Sequence, residues 1–279
     1  MNVSSIAEQL FFTTVRIDTV APTGANGSGT GFFFAHKHGE QQFPFVVTNK
    51  HVVMGMTSGA LTFHLRQGQE PQLGNGFRLT ISDWPLSWFG HPSPQIDIAI
   101  CPFVPIEAHI KQQNNVDLFY RCVTSDMVPS QALLESLDAL ESVTFIGYPN
   151  GIWDTANCLP VVRRGTTASP LTVDFENTPR FLVDASVFGG SSGSPVFLFN
   201  QGMYTDKSGV TTIGSRCLFL GVIAAVFFRT QLKEIVSVSI PTQSCPMTEQ
   251  QEMIDLGIVF KARTVVETIE AFLKLKALI

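Results

Sequence analysis

The stretch Phe188-Gly-Gly-Ser-Ser-Gly-Ser-Pro-Val-Phe197 is a glycine-rich tight turn that enters an apolar strand. Nucleophilic acyl transfer needs a hydroxyl presented on a sharp turn, with free backbone N–H groups beside it to meet the developing oxyanion. Gly190, Ser191, Ser192, Gly193, Ser194 and Pro195 satisfy the pattern G-x-S-G-x-P, which makes Ser192 the candidate nucleophile. Alone such a turn is common in loops. A serine hydroxyl also needs a base, and an imidazole with a pKa near about 6.5 is the usual one. Of the six histidines only His51 closely follows an apolar strand, in Phe45-Val-Val-Thr-Asn-Lys-His-Val-Val53. The imidazole in turn needs a carboxylate to fix its tautomer and stabilise its charged form. Asp97, in Gln-Ile-Asp-Ile-Ala-Ile, is a lone acid at the entrance of an otherwise apolar strand, where it demands a partner.

These groups must be held by the rest of 279 residues, of which 44% are hydrophobic and 15% charged. That is enough apolar material for two modules of similar size. Short β-branched and aromatic runs separated by Gly, Pro, Asn and Asp predict an all-β protein. The expected strands are 12–20, 31–35, 45–48, 60–65, 96–103, 142–147, 160–167, 180–184, 195–199 and 217–228. Helical periodicity is weak at 131–140 and clear from Thr264, where Thr264 and Glu267 have capping-box spacing. Val265, Val266, Ile269, Phe272 and Leu273 then form one apolar side, predicting a docked helix over about 264–277. Between Pro105 and Pro129 the chain turns polar and irregular, marking a crossing between modules.

Taken together, Gly27-Ser-Gly-Thr-Gly-Phe32, Thr48-Asn-Lys-His-Val-Val53, Asp97-Ile-Ala-Ile100, Ile146-Gly-Tyr-Pro149, Arg164-Gly-Thr-Thr-Ala168 and Gly190-Ser-Ser-Gly-Ser-Pro195 resemble the trypsin-like (chymotrypsin-fold) serine peptidases, most closely their bacterial high-temperature-requirement branch. The resemblance spans roughly residues 10–230, with His, Asp and Ser in the chymotrypsin order. It implies two six-stranded β-barrels, expected at residues 1–115 and 116–279, with a cleft between them. His51 and Asp97 would come from the first barrel and Ser192 from the second. The N–H groups of Gly190 and Ser192 would form the oxyanion hole. The base of the primary pocket would fall near Ser186, with walls near Ala224, Ala225 and Val226. No carboxylate lies there to receive Arg or Lys, and Ile223 stands where staphylococcal-type relatives carry a histidine for glutamate. Val226, where many relatives have glycine, would narrow the pocket, so a small uncharged residue is expected before the cleaved bond. Ser191 replaces the aspartate that secreted trypsins pair with a newly cut N-terminus, so that activation switch is expected to be absent.

The function expected is therefore a serine endopeptidase acting on protein or peptide substrates through an acyl-enzyme, without metal or organic cofactor, and open to a regulatory protein partner. The alternative is a catalytically silent or partner-activated trypsin-fold module that binds protein. A formal net charge of −5 gives no cationic field for nucleic acid or anionic lipid. The longest apolar run, Leu218–Phe228, falls short of the about 20 residues a spanning helix needs. The start lacks the basic and apolar regions of a secretory signal, which points to the cytosol. After Val236 too few residues remain for a peptide-binding PDZ domain. Cys101, Cys122, Cys158, Cys217 and Cys245 are scattered and read as reduced, mostly buried thiols. His36 and His38, in the polar run HKHGEQQ, read as a solvated hairpin tip and no metal site. His91 and His109 read as surface residues, and Arg163 and Arg164 as solvated or salt-bridged.

Overall fold

Strand alternation shows how the two halves of the molecule meet. In β1 (Thr14–Val20) Val15, Ile17 and Thr19 are buried and Arg16, Asp18 and Val20 are half-exposed, the period of a sheet with one wet face. β2 (Asn26–His38) and β3 (Gln41–Thr48) run apolar without that break. Phe33 and Val46 enter a core with Val15, Ile17, Leu61 and Trp84. Phe32, Phe34, Phe45 and Val47 point the other way, against Ile146, Phe197, Phe219 and Val222 of the C-terminal half. A strand buried on both faces has no polar positions to alternate, and these two form the floor on which the halves are joined.

The computed structural model describes residues 3–234 and 247–279. In the N-terminal half, β1 to β3 are followed by β4 (Ser58–Gln67), β5 (Glu70–Ile81), β6 (Phe89–Gly90), β7 (Ala99–Pro102), β8 (Leu118–Phe119) and β9 (Val123–Thr124). They form one sheet in the order β5-β4-β1-β2-β3-β7-β6, with β8 on β4 and β9 on β2. The N-terminal half is thus a nine-stranded sheet where six strands are expected. In the C-terminal half, β10 (Ser142–Gly147), β11 (Val161–Thr167), β12 (Arg180–Asp184) and β13 (Pro195–Asn200) precede the separate hairpin β14 (Met203–Thr205) and β15 (Thr211–Ile213). With β16 (Arg216–Glu234) and β17 (Met247–Lys261), the order β10-β11-β12-β17-β16-β13 closes a six-stranded barrel. Closure removes the exposed edges that an open sheet would leave.

The helices are α1 (Ile6–Leu10), α2 (Lys50–Val53), α3 (Trp84–Ser87), α4 (Phe103–Asn114), α5 (Gln131–Ser136) and α6 (Ala262–Leu275). α4 occupies part of the segment expected to be irregular. Only Phe103 and Ile110 of it are buried, too few to print a stripe on the sequence. α6 docks Val265, Ile269 and Leu273 into the inter-module core, as its periodicity predicts. Its start differs from the expectation: Lys261 is the N-cap, and Thr264 lies inside the helix with its hydroxyl donating to Lys261 O. Glu267 is consequently free to face His91, whose Nε2 lies 3.5 Å from its carboxylate. His91 is therefore mostly covered and not a surface residue. His36 is also buried, with its Nδ1 unpartnered, because β2 is paired with β3 and β9 up to this point, and the exposed tip begins only at Lys37. Cys101 and Cys158 are buried and Cys122 and Cys217 half-buried, while Cys245 lies outside the described residues.

His64 on β4 carries a measurable consequence. Its ring stands edge-on to Phe12, with centroids 5.0 Å apart, and burial pushes its pKa from 6.5 down to about 4. The folded state thus holds a neutral ring, whereas the unfolded chain takes up a proton near 6.5. The stability this represents is full above that pH and is lost as pH falls toward about 4; the loss amounts to at most roughly 3 kcal/mol. Thermal melts of His64→Leu are expected to fall less steeply between these pH values than those of the parent. Parallel curves would contradict the assignment.

Candidate active site

Each candidate residue sits where an element ends. β3 stops at Thr48; Asn49 follows in extended conformation and the single turn α2 begins, carrying His51. Val52 and Val53 bury that turn, Gly29 of β2 lies directly beneath Val52, and Trp84 Nε1 donates to Val53 O at 2.9 Å. The opposite face, with His51, is left half-exposed. Asp97 lies in the bend before β7, two residues short of the strand proper. Asn49 Nδ2 donates to Asp97 O at 2.6 Å and stitches this bend to α2.

The Asp97 carboxylate grips His51 twice. Oδ1 accepts the His51 backbone N–H at 3.0 Å, and Oδ2 lies 2.5 Å from His51 Nδ1. A carboxylate accepts only, so the ring proton belongs on Nδ1 and Nε2 is left with a lone pair. That is the tautomer of a general base.

The turn 188–194 is folded by its own backbone: Ser191 N–H donates to Phe188 O and Ser194 N–H to Ser191 O, both at 3.0 Å. Gly190 and Gly193 have φ of +80° and +88°, a region that side chains strain to enter. Gly193 N–H donates to Ile223 O at 2.8 Å, which lays the turn along β16. Among the described residues, neither Gly190 N–H nor Ser192 N–H meets a hydrogen-bond acceptor. Both N–H groups are therefore open to an acceptor from outside the described residues. Ser192 Oγ donates to Ala224 O at 3.3 Å, and no hydrogen bond joins it to His51 among the described residues. Catalytic contacts are often loose before substrate binds, and one χ1 rotation re-aims a serine hydroxyl.

Thr30 brings the two halves of the site together. Its N–H donates to Ser192 O at 2.9 Å, and its C=O accepts the hydroxyl of Thr48 at 2.7 Å, three residues before His51. One residue thus ties the candidate nucleophile's turn to the strand that delivers the candidate base.

The residues expected to form the pocket lie on two segments, the stretch after β12 and the strand β16. Ser186 is half-buried between β12 and the turn; Ala224 is buried, Ala225 exposed and Val226 half-buried on β16. Val226 pairs with Gly257 of β17, and a Cβ at Gly257 would come within 2.8 Å of Val187. Val187, after β12, and Gly257 of β17 are in contact at this point, a pairing that the sequence does not single out because it joins segments 70 positions apart. Arg163 lies over the ring of Phe188, 4.9 Å from its centroid, and so flanks the turn rather than pointing free into solvent. Among the described residues no cluster of His, Cys, Asp and Glu is set to hold a metal ion, and no helix is long and apolar enough to cross a membrane.

A family model of the trypsin-like peptidase domain matches residues 29–203, which include His51, Asp97 and Ser192. The chain belongs to the trypsin-like peptidase domain family. Its mostly β architecture, with a closed six-stranded barrel, a further sheet and a C-terminal helix, is chymotrypsin-like. Among solved structures, this peptidase domain is similar to the active form of the Rv3671c protease of M. tuberculosis, with 18% identity, 96% of this chain and 84% of that chain covered, and a TM-score of 0.49. It is also similar to an inactivated protease paralogue of the scabies mite, with 14% identity over 95% of this chain and 97% of that chain, at a TM-score of 0.44. A third likeness is to the tobacco etch virus protease complexed with product, with 12% identity over 81% of this chain and 73% of that chain, at a TM-score of 0.44. A sequence search of curated proteins finds no match.

Proposed function

We propose that the protein is a serine endopeptidase in which Ser192 is the nucleophile, His51 the general base and Asp97 the residue that orients it. The observation that carries this reading is the double contact of Asp97 with His51, which leaves Nε2 as the ring's proton acceptor. In the reaction Ser192 Oγ attacks the scissile carbonyl while His51 Nε2 takes its proton. The tetrahedral oxyanion is received by the N–H groups of Gly190 and Ser192. The amine leaves with the proton from Nε2, and water, activated the same way, releases the acyl group. Acyl transfer by this set of groups calls for no metal or organic cofactor. The bacterial high-temperature-requirement branch is the one we favour, on the runs Gly27–Phe32 and Thr48–Val53.

The substrate proposed is an extended protein or peptide with a small uncharged residue before the cleaved bond. Supporting this are the small or apolar side chains at the expected pocket positions Ser186, Ala224, Ala225 and Val226, with Val226 paired to Gly257 and Val187 packed against Gly257. None of these residues carries a charge to attract Lys, Arg, Asp or Glu. Profiling with a peptide library is expected to give cleavage after Ala, Ser or similar residues. In Val226→Gly, removing the branched side chain is expected to raise kcat/KM for a larger apolar residue relative to alanine by about 10–100-fold. Cleavage after basic or acidic residues, or an unchanged profile in the variant, would contradict the pocket.

A further inference from the structure

We infer that Thr30 is a positioning residue for the oxyanion turn, acting through its hydroxyl. The inference rests on the hydrolase reading above and adds to it what keeps the two N–H donors aimed. Thr30 Oγ1 accepts from Tyr148 N–H at 3.0 Å and donates to Gly190 C=O at 3.0 Å. It therefore couples three segments distant in sequence: β2, the loop after β10 and the turn that bears Ser192. On the same loop, Asn150 N–H donates to Gly189 C=O at 2.5 Å.

The geometry of a trans peptide makes these contacts matter for the donors. Within one peptide plane C=O and N–H point in opposite directions. Holding Gly189 C=O toward Asn150 thus aims Gly190 N–H away from that loop, toward the open side beside Ser192. Holding Gly190 C=O on Thr30 prevents the neighbouring plane from rotating in its place. The loop that provides Asn150 is itself anchored from β1. Arg16 Nη1 donates to Gly151 O at 2.6 Å, and its guanidinium lies 5.1 Å from the centre of the Trp153 ring. Asn150 and Gly151 have φ of +50° and +69°, left-handed values that an Asn-Gly pair adopts readily, so the loop is already shaped for these contacts.

The turn 188–194 contains no charged residue of its own. Ser191, between the two donors, is buried with its hydroxyl unpartnered. The neutral strut from Thr30 and the Asn150 amide hold the C=O groups on either side of the Gly190 donor, in addition to the backbone bonds that fold the turn and lay it along β16.

Steady-state kinetics on a peptide substrate test this in the full chain, with Ser192→Ala as the control for the reading itself. Thr30→Val and Thr30→Ala are expected to lower kcat by about 10- to 100-fold with KM little changed, since a misaimed donor forfeits part of what its removal would cost. Thr30→Ser keeps the hydroxyl and is expected to restore kcat. Affinity for a peptide boronate, whose tetrahedral oxygen takes the same two donors, is expected to fall in step with kcat in the first two variants. Undiminished kcat in a folded Thr30→Val, failure of Thr30→Ser to recover it, or failure of both Thr30→Val and Thr30→Ala to fold would overturn the inference. The last outcome assigns the hydroxyl to stability alone. Absence of Ser192-dependent turnover in the parent protein would instead remove the hydrolase reading, and this inference with it.

Discussion

Asp97→Asn is expected to lower kcat by about 10⁴-fold while leaving the melting temperature within a few degrees of the parent. The asparagine can still accept the His51 backbone N–H that Asp97 Oδ1 now receives at 3.0 Å. What it cannot do is accept at both oxygens. Where Oδ2 now faces Nδ1 at 2.5 Å, an amide presents either a donor or a neutral acceptor. A donor there forces the ring proton onto Nε2, which is then no base for Ser192. A neutral acceptor leaves the imidazolium of the transition state without its counter-charge. Stability changes little because His51 is 49% exposed, and an ion pair in contact with water is worth about 0–1 kcal/mol. Turnover and melting measured on the same preparation check both halves. A loss below tenfold would mean that Asp97 does not orient the base.

Gly193→Ala is expected to be the most damaging single methyl group that can be added to the site. At Gly193 φ is +88°, and a Cβ would lie 1.8 Å from Thr30 O and 2.5 Å from Thr48 Oγ1. Neither neighbour can withdraw. Thr30 is held by its N–H on Ser192 O, Thr48 by its hydroxyl on Thr30 O, and Gly193 by its N–H on Ile223 O. Clash and backbone strain together are expected to cost about 4 kcal/mol or more. In a chain of this size that is a fall of about 10 °C or more in melting temperature. Activity should vanish in whatever fraction folds, because relief of the clash separates the turn from β2. Gly209→Ala is the control: φ there is +86°, but nothing lies within 4 Å. Only the cost of the left-handed conformation remains, about 1–2 kcal/mol. Similar melting temperatures for the two variants would contradict the proposed packing.

The parts of this architecture written locally in the sequence are the parts it discloses. Val161–Thr167 and Arg180–Asp184 announce themselves by β-branched residues between turn formers, and α6 by its apolar stripe. β17 does not, because Thr248-Glu-Gln-Gln-Glu252 has no strand propensity and is held extended by pairing with β16. α4 escapes notice because the sheet beneath it needs only two of its side chains. The spacing of Thr264 and Glu267 imitates a capping box, yet both Thr264 and Thr268 are buried and donate their hydroxyls to Lys261 O and Thr264 O. Hydroxyls satisfied by their own helix can occupy its interior.

At the site, the residue types needed for chemistry make His51, Asp97 and Ser192 candidates one by one. The contacts that hold the turn bearing Ser192 are not legible there, since they join residues more than a hundred positions apart. Thr30 reaches Tyr148 and Gly190, and Arg16 reaches Gly151, through tertiary packing alone. The dipeptide Asn150-Gly151 signals a turn, but nothing local says that its amide will close on Gly189. His36 shows the converse error, a polar neighbourhood in sequence whose first residue is buried where its strand is paired on both edges.

Labelling with an active-site fluorophosphonate, read by intact mass and peptide mapping, tests the central claim most directly. The account predicts one adduct per chain on Ser192, none on Ser192→Ala, and a strongly slowed reaction in His51→Ala. Folded parent protein that takes up no label, or that carries it on a different serine, would contradict the convergence of these residues on a working nucleophile.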